Sequence, residues 1–306
     1  MKIFIAGGAG TLGSCIAQAL AADGLADEIV LYDLDNGLAE NHAMDLLESV
    51  CLTSGTDVHV GSLDDLRDSN IIVPVIAAYK GNDHMKSLEA TAPILLDIMK
   101  KVEKSAPDSL IITASNPVDI YNYLFYRYTD IPAKQWLGFS FNDTLRFRRN
   151  LGIVLGVAPS DIEAYAIGEH GPTKTNIFSS VKVNDAPVTL AADQKKAVLD
   201  GMDEWWGKYI NNTSDKRTAG WSTAYGIAEM VRCIEGKAKS KIIPCSCVLD
   251  GLYGQKDISL AVPARLSRSG VEEIIELPLD AEEQALFDIS VAKVRKLTEE
   301  TIPKYV

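Results

Sequence analysis

A chain of 306 residues is long enough for one large α/β unit or two domains sharing an interface. Its 42 acidic against 30 basic side chains give a formal charge of −12, which argues against nucleic acid as a partner, because an acidic surface gains nothing from counterion release. No apolar run approaches the roughly twenty residues of a membrane helix, the amino terminus runs directly into a strand with no room for a cleavable leader, and five cysteines without a C-x-x-C pair fit reduced thiols better than a metal site; a cytoplasmic protein with no membrane partner and no metal is expected.

The first strand is predicted over residues 2–6, and Gly8-Ala9-Gly10-Thr11-Leu12-Gly13 spells G-x-G-x-x-G where that strand should turn into a helix. Glycines permit the tight turn and let the backbone approach a pyrophosphate, while the following helix aims its free N–H groups at the anion. An ordinary βα turn carries the same glycines, so context decides. Leu12, Ile16, Ala19 and Leu20 recur at helical spacing, and a second strand runs over 28–33. Asp33 lies twenty positions past Gly13, where a carboxylate at a strand end accepts from the ribose hydroxyls and repels a 2′-phosphate, favouring NAD over NADP. The alternative is a solvated Asp in a connecting loop.

A helix is predicted over 39–50 with Ala43, Leu46, Leu47 and Val50 on one face, then a short strand over 58–60 and a polar connection over 63–68. Residues 71–78 read as a buried strand in which Pro74 is a local irregularity. A polar loop (79–86), a helix (88–102) and a strand from Leu110 into the turn Ser115-Asn116-Pro117-Val118-Asp119 follow, with a Tyr- and Phe-rich helix behind. This alternation predicts a doubly wound parallel α/β sheet over residues 1–142, with the turns after Ala6, Asp33, Ala78 and Ser115 lining one crevice.

Residues 143–306 mix elements less regularly, as expected of a second, α+β domain. They hold a helix start at 143–150, a strand at 161–166 running into Gly168-Glu169-His170-Gly171, and hairpin strands at 178–183 and near Val188. Helices at 205–213 and 220–234, strands at 245–248 and 258–262, and a last helix opened by an Asp280/Glu283 capping box complete the half.

Of His42, His59, His84 and His170, only His170 sits in a glycine-flanked turn after an apolar strand, where an imidazole can be both rigid and open to a cleft. Asp143 could accept from one ring nitrogen, leaving the other to exchange a proton with a substrate hydroxyl. Arg146, three positions on and on the same helix face, could clamp a carboxylate, or simply pair with Asp143 at the surface.

The glycine turn, Asp33, Ser115 to Asp119, Asp143-x-x-Arg146, Gly168 to Gly171 and a late Gly251-Leu252-Tyr253-Gly254 occur in an order that resembles the lactate/malate dehydrogenase family, over essentially the whole chain. The resemblance implies a Rossmann domain (1–142) followed by a substrate domain (143–306), and hydride transfer between NAD and C2 of an L-2-hydroxy acid in a homodimer or homotetramer. It implies Gly8, Gly10, Thr11, Leu12, Gly13, Asp33, Ala77 and Asn116 as cofactor contacts. His170 becomes the proton donor or acceptor, Asp143 its partner, Arg146 the carboxylate anchor, and Asn116 a neighbour of nicotinamide and substrate alike.

One stretch departs from the family. There an Arg in a mobile loop polarises the substrate carbonyl, and an earlier position selects the substrate, Gln in lactate and Arg in malate enzymes; residues 79–86 contain no Arg. Counting from the strand puts Lys86 in the Arg position and Lys80 at the selector. Counting back from Leu88-Glu89-Ala90 puts His84 and Ala78 there, and both registers stay open. Lys80 as selector favours a dicarboxylate such as oxaloacetate, whereas Ala78, with a small Ala219 in the far wall, admits an aryl or branched 2-oxo acid. The missing Arg also leaves open a catalytically weak NAD-binding relative.

Overall fold

The computed structural model describes residues 1–79, 84–213 and 220–306. Strands β1 (Lys2–Ala6), β2 (Glu28–Tyr32), β3 (Asp57–Val60), β4 (Ile71–Pro74), β5 (Leu110–Thr113) and β6 (Trp136–Phe139) run parallel in the order β3-β2-β1-β4-β5-β6. All but β3 are almost wholly buried, because helices on both faces leave no polar side for alternation. The crossovers carry α1 (Thr11–Ala22), α2 (Asn36–Val50), α3 (His84–Ser105) and α4 (Val118–Tyr128). Strand order reverses between β1 and β4, so their following turns meet at the carboxyl edge: a Cβ on Gly7 would lie 3.1 Å from the Val75 carbonyl.

Local details differ from the sequence expectations for identifiable reasons. The strand expected over 71–78 ends at Pro74, after which Val75 N–H bonds the Ala6 carbonyl (2.8 Å) and the chain leaves the ladder. Helix α2 starts at Asn36 rather than at 39, because Asp35 accepts from the Leu38 N–H (3.1 Å), and Leu47 lies 40% exposed, off the buried face. Within the 63–68 connection, Leu63–Leu66 forms a 3₁₀ turn under a Ser62/Asp65 capping box.

In the second half, α5 (Phe141–Leu155), β7 (Ile162–Ile167), β8 (Thr175–Val183), β9 (Ala186–Pro187) and α6 (Ala192–Thr213) surround a small core of Phe147, Leu151, Ile162, Phe178, Val198 and Met202. Helix α6 begins at 192, well before the expected 205, and its first half buries little beyond Val198 and Met202. Helix α7 (Trp221–Ile234) packs Ala224, Ile227, Ala228 and Val231 inward.

The strands β10 (Ile242–Asp250), β11 (Lys256–Ser267) and β12 (Gly270–Ile274) exceed expectation in length and number, and they join the first sheet rather than forming another. β10 pairs antiparallel with β6, which makes a mixed nine-stranded sheet among the described residues. The seam requires Gly138, where a Cβ would come within 2.5 Å of Ser246 Cβ. Helix α8 (Ala281–Thr301) opens on the Asp280/Glu283 capping box and buries Phe287, Val291 and Val294. All five cysteines are free thiols, Cys245 and Cys247 buried on one face of β10 with their sulfurs 3.4 Å apart. No helix of the described residues is long and apolar enough to cross a membrane, and none of their His, Cys, Asp and Glu side chains cluster as a metal site.

Candidate active site

The glycines after β1 divide their work. Gly7, one residue ahead of the motif, takes the left-handed backbone (φ 101°), and its N–H and that of Gly8 both bond the Tyr32 carbonyl (2.8 and 3.0 Å). A Cβ on Gly8 would meet Leu31 Cβ at 2.8 Å, and one on Gly13 would sit 2.1 Å from the Gly7 carbonyl oxygen. Both positions serve close packing of turn, helix and strand. Gly10 is exposed, and a Cβ there would meet only the Gly7 oxygen, at 3.2 Å. It caps α1 without a side-chain bond, so no capping side chain occupies the first-turn N–H groups of that helix.

Asp33 is fastened to this turn: Oδ2 accepts from Ala9 N–H (3.0 Å) and Oδ1 from Asp35 N–H (3.1 Å). Ala77 is exposed beyond β4, Asn116 is half-buried beyond β5, and Ser115 Oγ ties these two strand ends by donating to the Ile76 carbonyl (3.1 Å). The open glycine edge, the bare helix start and the anchored carboxylate fit the pyrophosphate and ribose of a dinucleotide such as NAD.

The second cluster is drawn from distant segments. After β7, Gly168 (φ 91°) exchanges two backbone hydrogen bonds with Ala261, and Glu169 N–H donates to Ser290 Oγ of α8 (2.6 Å). His170 follows, its Nδ1 2.7 Å from Asp143 Oδ2 in the first turn of α5. The other carboxylate oxygen accepts from Arg146 Nη1 (3.1 Å), and the guanidinium lies over the Trp205 ring, 4.8 Å from its centre. Exposures of 16% for the His170 side chain, 8% for Asp143 and 25% for Arg146 describe a cleft rather than a surface.

Burial alone would push the His170 ring toward its neutral form. The Asp143 carboxylate outweighs it through charge and hydrogen bond, with Asp119 adding, so the ring holds its proton more tightly than an ordinary histidine. Burial opposes the Asp143 charge too, yet His170, Lys174 and Arg146 hold that carboxyl below its usual range. The result is an oriented, protonatable imidazole beside a cation that can bind a carboxylate.

Asp119, in the first turn of α4, was assigned no role from sequence, yet it accepts from the His170 backbone N–H (2.7 Å) and from Ser246 Oγ (2.5 Å). Its burial was the signal, and only packing reveals it. Trp205 carries only a helical signal in the sequence, and Gly7 lies one position outside the motif. In the loop, Ala78 N–H donates to Thr91 Oγ1 (3.1 Å) and Lys86 is exposed in the first turn of α3. Lys80, Ala219 and the side chain of His84 lie outside the described residues.

Residues 1–138 match the family model described as lactate/malate dehydrogenase, NAD binding domain, and residues 142–304 match lactate/malate dehydrogenase, alpha/beta C-terminal domain. L-lactate dehydrogenase 2 of Enterococcus faecalis is 31% identical over 95% of this chain and 94% of its own, and malate dehydrogenase of Halobacterium salinarum is 33% identical over 96% and 97%. The crystal structure of the minor L-lactate dehydrogenase from Enterococcus mundtii superposes with a TM-score of 0.89 at 27% identity, covering 98% of both chains. With both family models matched in sequence order around an NAD-type turn and a half-buried His–Asp–Arg cluster, the chain belongs to the lactate/malate dehydrogenase family.

Proposed function

We propose that this NAD-dependent dehydrogenase interconverts an L-2-hydroxy acid and its 2-oxo acid, with residues 1–142 holding the cofactor and 143–306 the substrate. The carrying observation is the His170–Asp143–Arg146 cluster, in which a single carboxylate orients both the proton carrier and the carboxylate anchor. NAD, when bound, supplies or receives the hydride. Gly8, Gly10, Thr11, Leu12, Gly13 and Asp33 hold its pyrophosphate and ribose, with Ala77 and Asn116 toward the nicotinamide.

Arg146 has one edge on Asp143 and presents its remaining N–H groups to a substrate carboxylate; the Trp205 indole beneath keeps its plane fixed. His170, with Nδ1 committed to Asp143, works through Nε2, giving a proton to the carbonyl oxygen in reduction and taking it from the hydroxyl in oxidation. Asp143 stabilises the imidazolium in between. Lys86 and His84 are the candidates for the polarising role that Arg fills elsewhere in the family, and Lys80, Ala78 and Ala219 those for selecting the substrate.

Relatives named for lactate and for malate are about equally similar, so the side chain of the acid rests on the site. Trp205 and Trp206 beside Arg146, with Tyr209 stacked on both, favour a second reading in which the substrate side chain is aryl or branched. NADH oxidation measured with pyruvate, oxaloacetate, 2-oxoisocaproate and phenylpyruvate tests both: turnover of the first pair supports the first reading, and preference for the second pair supports the second. Tight NADH binding with no turnover of any of them would overturn both in favour of a binding relative. Exposed Met44 and Leu47 on α2 and Trp221 and Tyr225 on α7 support a homo-oligomer, which sedimentation velocity tests.

A further inference from the structure

We propose that Asp119 is a positioning residue for His170: ionised, it grips the His170 backbone from behind and supplies the second negative charge that keeps a proton on the ring. The inference deepens the proposed function and rests on the same site. Asp119 is 4% exposed, and its carboxylate faces two donors, the His170 N–H and the Ser246 hydroxyl.

Hydrogen accounting in the buried network behind it fixes which protonation state fits. Asn122 Nδ2 lies 3.0 Å from the Ser246 carbonyl, so that atom is the amide nitrogen, and it also donates to Ser259 Oγ (3.1 Å). Asn122 Oδ1 then accepts from Thr113 Oγ1 (3.1 Å). Ser259 Oγ receives from the amide and gives its hydrogen to Ser246 Oγ (2.9 Å), and Ser246 gives its own to Asp119 Oδ1 (2.5 Å). The donors run in one direction, from Asn122 through Ser259 and Ser246 to Asp119, and the fourth hydrogen, from His170, arrives at Oδ2. A network that ends in two donors on one carboxylate suits an anion, whereas a carboxylic acid at Oδ1 would reverse both hydroxyls and leave the Ser259 hydrogen without an acceptor in this network.

The other charges facing His170 are Asp143 and Arg146 on α5; Glu169 beside it is compensated by Lys293 of α8 at 2.8 Å, and Lys174 acts on Asp143. Asp119 is therefore an additional anion without a cation of its own among these pairs. Burial pushes its carboxyl up to about 6, still ionised at neutral pH.

The test uses the full chain with ¹⁵N-labelled histidine. Its four histidines make the His170 ring assignable by comparison with His170→Asn, and its titration is followed by NMR without any need for turnover. In Asp119→Asn, which keeps the shape and an acceptor for the His170 N–H, the ring's titration midpoint falls by on the order of half to one pH unit. Ser246→Ala, which removes one donor but not the carboxylate, moves the midpoint in the same direction by less than Asp119→Asn does. In the unaltered protein the ring signals show a second inflection on the acid side of the ring's own midpoint, where Asp119 takes a proton, which tests the link even if Asp119→Asn does not fold. A folded Asp119→Asn with the original midpoint, or an unaltered protein without that inflection, overturns the proposal. If a 2-oxo acid is turned over, the alkaline limit of its kcat/KM profile moves down by the same amount; if none is, a shifted midpoint still upholds the role of Asp119 while the proposed reaction falls.

Discussion

The turn after β1 and the centre around His170 differ in how far apart their parts lie along the chain. Residues 7–13 fold on themselves, and Asp33 reaches them from the adjacent strand. The His170 centre gathers Asp119, Asp143, His170 and Ser246 from α4, α5, the turn after β7 and β10. A site made of contiguous backbone is set by steric rules that any glycine obeys, whereas one made of side chains from four elements exists only when the sheet and both cores have assembled. The first should therefore tolerate changes that leave its backbone path intact, and the second should transmit any change in one carboxylate to the others.

The largest effect expected is at the assembled centre. His170→Asn removes the proposed proton carrier and should lower turnover about 10²- to 10⁴-fold, with NADH affinity, measured by fluorescence titration, nearly unchanged; retained activity would reject the role given to His170. Arg146→Lys keeps the charge but loses the planar fork and the indole stack, so KM for the 2-oxo acid should rise by about 10- to 100-fold.

Two glycine variants sharpen the contrast from the other side. Gly13→Ala drives a methyl into the Gly7 carbonyl and should cost about 1–3 kcal/mol of stability together with cofactor binding. Gly10→Ala meets only one atom, at 3.2 Å, so denaturant unfolding should change little while NADH binding weakens. Equal unfolding losses in the two would break the division of labour proposed for them.

The pH dependence follows from the raised proton affinity of His170. In the proposed reaction reduction needs the protonated ring, so its kcat/KM should be level at low pH and fall tenfold per unit above a midpoint higher than the ordinary 6.5, while oxidation rises through the same midpoint. The smallest effect lies far from both regions. Asp280→Ala removes the acceptor for two N–H groups of α8 and should cost about 1 kcal/mol in thermal or denaturant unfolding, without altering turnover.

Residues close in sequence were legible wherever local rules suffice. The alternating strands, the capping box at Asp280, the buried faces of α7 and α8, and the glycine turn all follow from periodicity and backbone sterics. The first half of α6 was not, because its exposed polar residues carry no stripe beyond Val198 and Met202. The strand expected past Pro74 was overextended because apolar residues continue after the ladder stops.

By itself, the amino-acid sequence determined the α/β alternation, the dinucleotide turn with Asp33, and the residue types able to move a proton and bind a carboxylate. Only the tertiary structure decided that β10 to β12 extend the first sheet, that Gly138 lets Ser246 approach β6, and that Asp119 stands behind His170. The reason is physical: strand pairing and burial of a charge depend on which distant surfaces meet, and a carboxylate's surroundings, unlike a glycine's allowed dihedrals, are not a property of its own segment.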